Sequence, residues 1–262
     1  MTSNQNLTII ILAHCDDWKL KQAVESTNFG PSILLVQTSD RINLDKYSKK
    51  CKIIKYSQKV NDFSKLRNWA IKQCKTNWIF FLDSDEIITK VSQKKIINFI
   101  SSSPYEAALV RRVDVFHNKI IKYGEVGKTS VIRLFKTDRV EYIRPVHEVP
   151  VVNGTVKQSE IVIKHFSHDS ISDFLTDIDN YAQIETKYRV KENPSLSKRK
   201  IIFQLLVFPT GKFAYNYLVK LGFLDGWRGF IYASMMSLHS IFVRTYCFQE
   251  IVYKVSALKN EN

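Results

Sequence analysis

A mixed, mostly parallel α/β sheet flanked by helices, followed by a helical C-terminal appendage, is the fold class the sequence predicts. Three observations predict it. Short apolar runs rich in β-branched residues alternate with stretches of helical periodicity from Leu7 to Glu86. Several of those runs are apolar throughout, the pattern of strands covered on both faces. The last stretch, from about residue 200 onward, is aromatic-rich and helical with no strand pattern.

Each element follows from its residues. Leu7 to Ala13 (LTIIILA) reads as a buried strand, and Asp17 to Thr27 as a helix with Trp18, Leu20, Ala23 and Val24 on its apolar positions. Phe29-Gly30-Pro31 ends that helix, and Ser32 to Val36 and Cys51 to Tyr56 form the next two strands. Asn61 to Cys74 is helical, with Asp62 or Ser64 as cap. Trp78 to Leu82 (WIFFL) is a buried strand running directly into Asp83-Ser84-Asp85-Glu86. A helix over Gln93 to Ser101 is closed by Pro104. Strands are expected over Ala107 to His117, Ile120 to Tyr123, Thr129 to Phe135 and Ile161 to Phe166. Arg139 to Val151 reads as irregular. Ser170 to Val190 is an amphipathic helix through Phe174, Ile178, Tyr181, Ile184 and Tyr188. The C-terminal helices are expected to break at Pro209-Thr210-Gly211 and again over Gly222 to Gly229. The domain boundary is expected near 195–200, giving a domain over 1–195 and an appendage over 196–262.

Composition bounds the function. With 262 residues, 45% of them hydrophobic, the chain can build a full core without disulfide or metal staples. Its four cysteines (Cys15, Cys51, Cys74, Cys247) are far apart and form no C-x-x-C pair, as in a protein of a reducing compartment. The formal net charge is +14, which favours anionic partners without choosing among them. Polar residues from Thr2 to Asn6 are followed by only about six apolar ones over Leu7 to Ala13, too few for a secretory leader, and no apolar run approaches the roughly 18 residues of a membrane span, so a cytoplasmic protein is expected. Neither G-x-x-x-x-G-K-[ST], G-x-G-x-x-G nor G-x-S-x-G occurs. No nucleic-acid-binding motif is present either, so a nucleic-acid partner is not expected.

The sharpest chemical signal is FLDSDE. In open parallel sheets ligands bind beyond the carboxyl ends of the strands. Asp83, Asp85 and Glu86 crowd negative charge at such an end and must be offset by a cation or by donors. A divalent ion shared with substrate phosphates would do this, since Mg²⁺ or Mn²⁺ takes only one or two protein carboxylates; a helix N-terminus would also suit acidic residues. Arg67 in the preceding helix has the fork geometry of a phosphate clamp, or lies on a solvated helix face. In Arg144-Pro145-Val146-His147-Glu148, a loop His and Glu are the residue types of a general base. His165 and His168 are a metal ligand or packing residues.

Taken in order, these pieces resemble family 2 glycosyltransferases of the GT-A fold, and among them the bacterial lipopolysaccharide-core glucosyltransferase group. The matching segments are TIIILAHCDD, NDFSKLRNWAIKQCKTNWIFFLDSDE, RLF (Arg133 to Phe135), PVHE, KHFSH and KLGFLDGWRGF. The resemblance implies a nucleotide-sugar and acceptor-binding catalytic domain over 1–195. It implies an inverting, metal-dependent transfer from a nucleoside-diphosphate sugar, a UDP-sugar foremost, to a hydroxyl of a cell-surface glycan or glycolipid. Glu148 would be the catalytic base, and Asp16, Arg67 and Asp83 would bind the donor. Asp85 would hold a divalent Mg²⁺ or Mn²⁺. His147 would orient the loop and His165 is a further candidate for the metal shell.

The chain departs from the family pattern in three places. The first strand ends in Ala13-His14-Cys15-Asp16 instead of a Thr-x-Asn-Glu-like turn. Gln37 stands where an Asp usually follows the second strand, and KYGEVGK lacks the aromatic residue expected before the RLF strand. Alternatives are a protein side-chain glycosyltransferase and a non-catalytic nucleotide-sugar- or nucleic-acid-binding protein. The basic, aromatic C-terminal helices are read as a surface for peripheral membrane association, a homo-dimer contact or a cover for the sheet.

Overall fold

The computed structural model describes residues 6–58, 60, 62–143, 148–166, 168–193 and 197–260. In chain order the elements are β1 (Leu7–Ala13), α1 (Trp18–Ser26), β2 (Ser32–Gln37), β3 (Lys52–Lys55), α2 (Phe63–Lys72), β4 (Trp78–Asp83) and β5 (Glu86–Ile88). Then come α3 (Lys90–Ser102), β6 (Ala107–Phe116), β7 (Lys119–Ile120), β8 (Thr129–Lys136), β9 (Val140–Ile143), β10 (Val149–Val152) and β11 (Val156–His165). The helices α4 (Ile171–Glu192), α5 (Lys198–Ala214) and α6 (Trp227–Asn260) complete the chain.

The chain divides into two compact units, 1–113 with 129–166, and 114–128 with 167–262. The first holds a mixed sheet in the order β3-β2-β1-β4-β8-β6-β11-β5. β3, β2, β1 and β4 are parallel, and β8 pairs antiparallel with both β4 and β6. The register sets Leu12 opposite Asp83 and Ala13 opposite Gln37, so three parallel strands end at one level. This is the GT-A-like arrangement of a mixed sheet flanked by helices, with a helical C-terminal region.

Period-two alternation builds a core on each face. Ile9, Ile11, Phe80 and Leu82 pack on one side with Leu20, Ala23 and Ile96. Ile10, Ile79 and Phe81 pack on the other with Leu66, Ala70 and Tyr142. A fully buried side chain of this size contributes roughly 1.5–3 kcal/mol. Caps fix the helix starts: Asp17 accepts from the Leu20 amide at 2.9 Å, and Asp62 accepts from that of Lys65 at 3.1 Å.

In the second unit α4 begins with a Ser170/Asp173 capping box. It packs on α6 through Phe174, Ile178, Tyr232 and Met235, and through Ala182, Val243 and Cys247. The GFLDGWRG segment has a steric explanation. A Cβ on Gly229 would lie 1.8 Å from the Gly222 carbonyl oxygen, and Gly226 sits at φ 64°. Asp225 accepts from the Lys122 and Tyr123 amides at 3.0 and 2.9 Å.

Three expectations are corrected. Residues 140–143 and 149–152, within the stretch expected to be irregular, form β9 and β10, which pair antiparallel. The strand expected over 120–123 shrinks to Lys119–Ile120, because Asp225 takes the next amides. Pro209 does not break α5, which runs through it; Pro209 is buried and its carbonyl accepts from Ser237 Oγ at 2.8 Å. The compact units part at 166/167, since α4 packs with the C-terminal helices; the 195/196 boundary expected between domains lies among residues outside those described.

Candidate active site

Two arginines organise the carboxyl end of β4. Arg67, on α2, points its Nε to Glu148 Oε1 at 3.0 Å and its Nη2 to Asp83 Oδ1 at 3.1 Å. Arg133, in the middle of β8, donates from Nη2 to Asp83 Oδ2 and, at 2.7 Å, to Glu86 Oε1. The other oxygen of Glu86 accepts from the Asp83 amide at 3.1 Å. Asp83 is thus held from both sides, and Glu86 is wholly buried.

The aromatic surround explains why α2 and β9 place Arg67 so firmly. Its guanidinium lies 4.9 Å from the Phe81 ring centroid and 5.3 Å from that of Tyr142. Phe81 and Tyr142 meet edge to face at 5.5 Å. Asn68, the next residue on α2, locks β9 in place: it donates to the Tyr142 carbonyl and accepts from the Tyr142 amide, both at 2.8 Å.

Charge follows from this packing. Burial alone would raise the Asp83 carboxyl, but Arg133 and Arg67 outweigh it and hold it well below the usual carboxylate range. Burial raises Glu86 despite Arg133. Burial pulls both guanidinium groups down, and the carboxylates reverse the sign, led in each case by Asp83. Three buried polar atoms in this group have no hydrogen-bond partner among the described residues: Arg67 Nη1, Arg133 Nε and Tyr142 Oη. Buried donors are normally satisfied, so an oxyanion or water fits here.

Asp85 stands apart from the arginines. Its carboxylate Oδ2 lies 3.3 Å from His165 Nε2, and its carbonyl accepts from the Phe166 amide at 2.9 Å. Burial would raise Asp85, but the hydrogen bond and charge of His165 turn the shift downward. Trp18 meets Phe166 edge to face at 5.6 Å, which brings the start of α1 beside this pair. No group of three or more His, Cys, Asp or Glu that could hold a metal occurs among the described residues. One carboxylate and one imidazole still suit a divalent ion that takes its remaining ligands from a diphosphate and water.

The structure therefore brings Arg67, Asp83 and Glu148 into one hydrogen-bonded group, with Asp85 two residues along the turn. Asp16 is in other company: it pairs with Lys46 Nζ at 2.9 Å and accepts from Tyr47 Oη at 3.2 Å. Gln37 closes its own turn, its Nε2 donating to the carbonyls of Ser39 and Ile42 at 2.9 and 3.0 Å. In the second unit His168 pairs with Asp177 at 3.2 Å and stacks on Phe174. His147 lies outside the described residues. Sequence reasoning assigned no role to Arg133, Asn68 or Tyr142. The available signal was Arg133 itself, a charge amid the apolar residues of VIRLF that has to find buried partners.

Residues 39–147 match the family model described as Glycosyl transferase family 2. That stretch, under half of the chain, contains Arg67, Asp83, Asp85 and Arg133 and ends one residue before Glu148. No curated protein matches the chain. Among solved structures, S. aureus TarS is similar over 92% of this chain and 55% of its own, at 15% identity and TM-score 0.47. The chain thus spans about half the length of that protein. TarS 1–349 covers 94% of this chain and 92% of its own at 14% identity and TM-score 0.47. The same fragment in complex with UDP-GlcNAc covers 90% and 82% at 13% identity and TM-score 0.47.

Proposed function

We propose that this chain is an inverting, metal-dependent glycosyltransferase. It moves a sugar from a nucleoside-diphosphate donor, a UDP-sugar foremost, to a hydroxyl of a cell-surface glycan or glycolipid of lipopolysaccharide-core type. The observation that carries the reading is Arg67, which joins Glu148 and Asp83 across 81 and 16 residues of sequence while its Nη1 has no hydrogen-bond partner among the described residues. The match of residues 39–147 to the family 2 model supports it.

The residues divide the work. Glu148 takes the proton of the acceptor hydroxyl as that oxygen bonds to the anomeric carbon, and the bond to the diphosphate breaks with its electron pair leaving on the nucleotide. Arg67 Nε orients the Glu148 carboxylate, and its free Nη1 meets a donor oxygen. Asp83 and Glu86 with Arg133 keep Arg67 charged and in place. Asp85, with His165, would hold the divalent ion, which supplies positive charge to the leaving diphosphate. Asp16, three residues past the end of β1, would contact the donor. The enzyme would act from the cytoplasmic face of the membrane that carries its acceptor.

Glu148→Gln tests the assignment. It keeps an acceptor for Arg67 but removes the base, so UDP binding stays within about twofold while transfer falls at least 10²-fold, the low end for a general base. Transfer that survives the change removes Glu148 from the mechanism. Loss of UDP binding together with transfer would show a structural role instead.

A further inference from the structure

The second unit presents an unusual surface. The middle of α5, Ile201 to Phe208, is apolar on every side but that of Gln204, yet only Ile201 and Pro209 of the helix's 17 residues are buried. Helices that are apolar all round are found buried in a core or in lipid. Here Phe203 and Leu206 are 63% and 72% exposed, with Ile202, Val207 and Phe208 open beside them. Leu218, Val219, Leu224 and Trp227 extend the exposed apolar surface along the chain.

Beside this face lies a cavity of about 110 Å³ between α4, α5 and α6, with Arg189, Lys200, Gln204 and Arg244 in its lining. A water needs roughly 10–15 Å³ of such space, so a larger group fits. Arg244 is 6% exposed, and no carboxylate pairs with it among the described residues. Its Nη1 donates to the Ser240 carbonyl and Oγ at 2.9 and 2.7 Å, and its buried Nε has no partner among the described residues. Burial and then the nearby Arg189 push the guanidinium down, the direction expected of a cation lacking an anion. Arg189 already has Glu185 at 2.7 Å, so the uncompensated charges are Arg244 and the exposed Lys200. Arg244 lies 4.3 Å from the ring of Phe208, which links the cavity to the apolar face.

We propose that the Arg244 cavity binds the phosphate of an anionic lipid headgroup and that the apolar face of α5 rests among the acyl chains of the same membrane surface. Charge selects this occupant. Residues 198–230 hold six basic side chains (Lys198, Arg199, Lys200, Lys212, Lys220, Arg228) against one acid, Asp225, whose carboxylate is engaged by backbone amides; of the six, Lys212 pairs with Glu125 from outside the segment. A second copy docking by a two-fold axis would set that basic rim against itself. No helix among the described residues is long and apolar enough to cross a membrane, so the contact is interfacial.

Flotation of the full chain with phosphatidylcholine vesicles, with and without phosphatidylglycerol, tests the proposal. The assay contains no nucleotide, so its outcome is independent of the glycosyltransferase reading. The chain should float only with the phosphatidylglycerol vesicles, and part of that binding should survive 0.5 M salt because apolar insertion is not screened. Leu206→Asp, at an exposed position that folding tolerates, should lower partitioning about tenfold. Arg244→Met should do the same, and Lys200→Gln at the cavity mouth should weaken binding even if Arg244→Met fails to fold. No flotation at low salt overturns the proposal. So does equal binding to neutral vesicles, equal binding by Leu206→Asp, or a dimer in light scattering that Leu206→Asp dissolves.

Discussion

Replacing Arg133 by Met tests the electrostatic account of the site most severely. Among the described residues, two guanidinium groups hold Asp83, Glu86 and Glu148, those of Arg67 and Arg133. Arg133→Met leaves Glu86, which has no solvent exposure at all, without a cation, and leaves Asp83 with Arg67 alone. Removing one partner of a buried pair costs about 3–5 kcal/mol, because the other charge stays in a medium that solvates it poorly. For a chain of this size each kcal/mol lowers the midpoint by about 2–4 °C, so a fall of about 6–20 °C is expected. Thermal unfolding followed by circular dichroism measures it. Glu86→Gln combined with Arg133→Met removes the orphaned charge, and the double variant should melt above Arg133→Met alone. A single variant within about 2 °C of the parent would refute the reasoning, as would a double variant no better than the single.

Other expectations follow from the same structure. Asn68→Ala strands the Tyr142 amide and carbonyl and should cost about 1–3 kcal/mol in urea denaturation; it should also weaken UDP binding, since Tyr142 positions Arg67. Burial, helped at Cys15 by its hydrogen bond to Asp17, pushes the thiols of Cys15, Cys51 and Cys74 up to about 11. Alkylation by iodoacetamide at pH 8 should therefore be slow and rise about tenfold per pH unit until that value is reached. Burial lowers His239, so the unfolded chain binds its proton first. Stability is then lost as pH falls below the ordinary histidine value of about 6.5. His239→Gln should flatten that loss, measured as unfolding midpoints between pH 7.5 and 5.5.

Much of this architecture was legible in the sequence because its signals are local. The apolar run WIFFL and its abrupt end in Asp83 marked both a strand and a site, and Asp62 and Asp17 were recognisable helix starters. Partnership over long sequence distances was not legible. Nothing near Arg67 announces Glu148, 81 residues away, and nothing near Asp83 announces Arg133, 50 residues away. The crowded carboxylates were expected to require a cation or donors; the structure supplies guanidinium groups for Asp83 and Glu86 and leaves Asp85 to His165. The β9–β10 pair was missed because each strand is only four residues long and Pro150 lies within one of them. Pro209 misled for the opposite reason, since its own burial and the Ser237 hydroxyl on its carbonyl hold the helix across a local breaker.

Calorimetric titration with UDP, with and without Mn²⁺, tests the central claim that this turn is a nucleotide-sugar site. The account predicts binding that Mn²⁺ strengthens, that Asp85→Asn returns to the metal-free level and that Arg67→Met abolishes. Absence of binding to UDP and equally to GDP, CMP and dTDP would contradict it, as would tight binding indifferent to Mn²⁺ and to both substitutions.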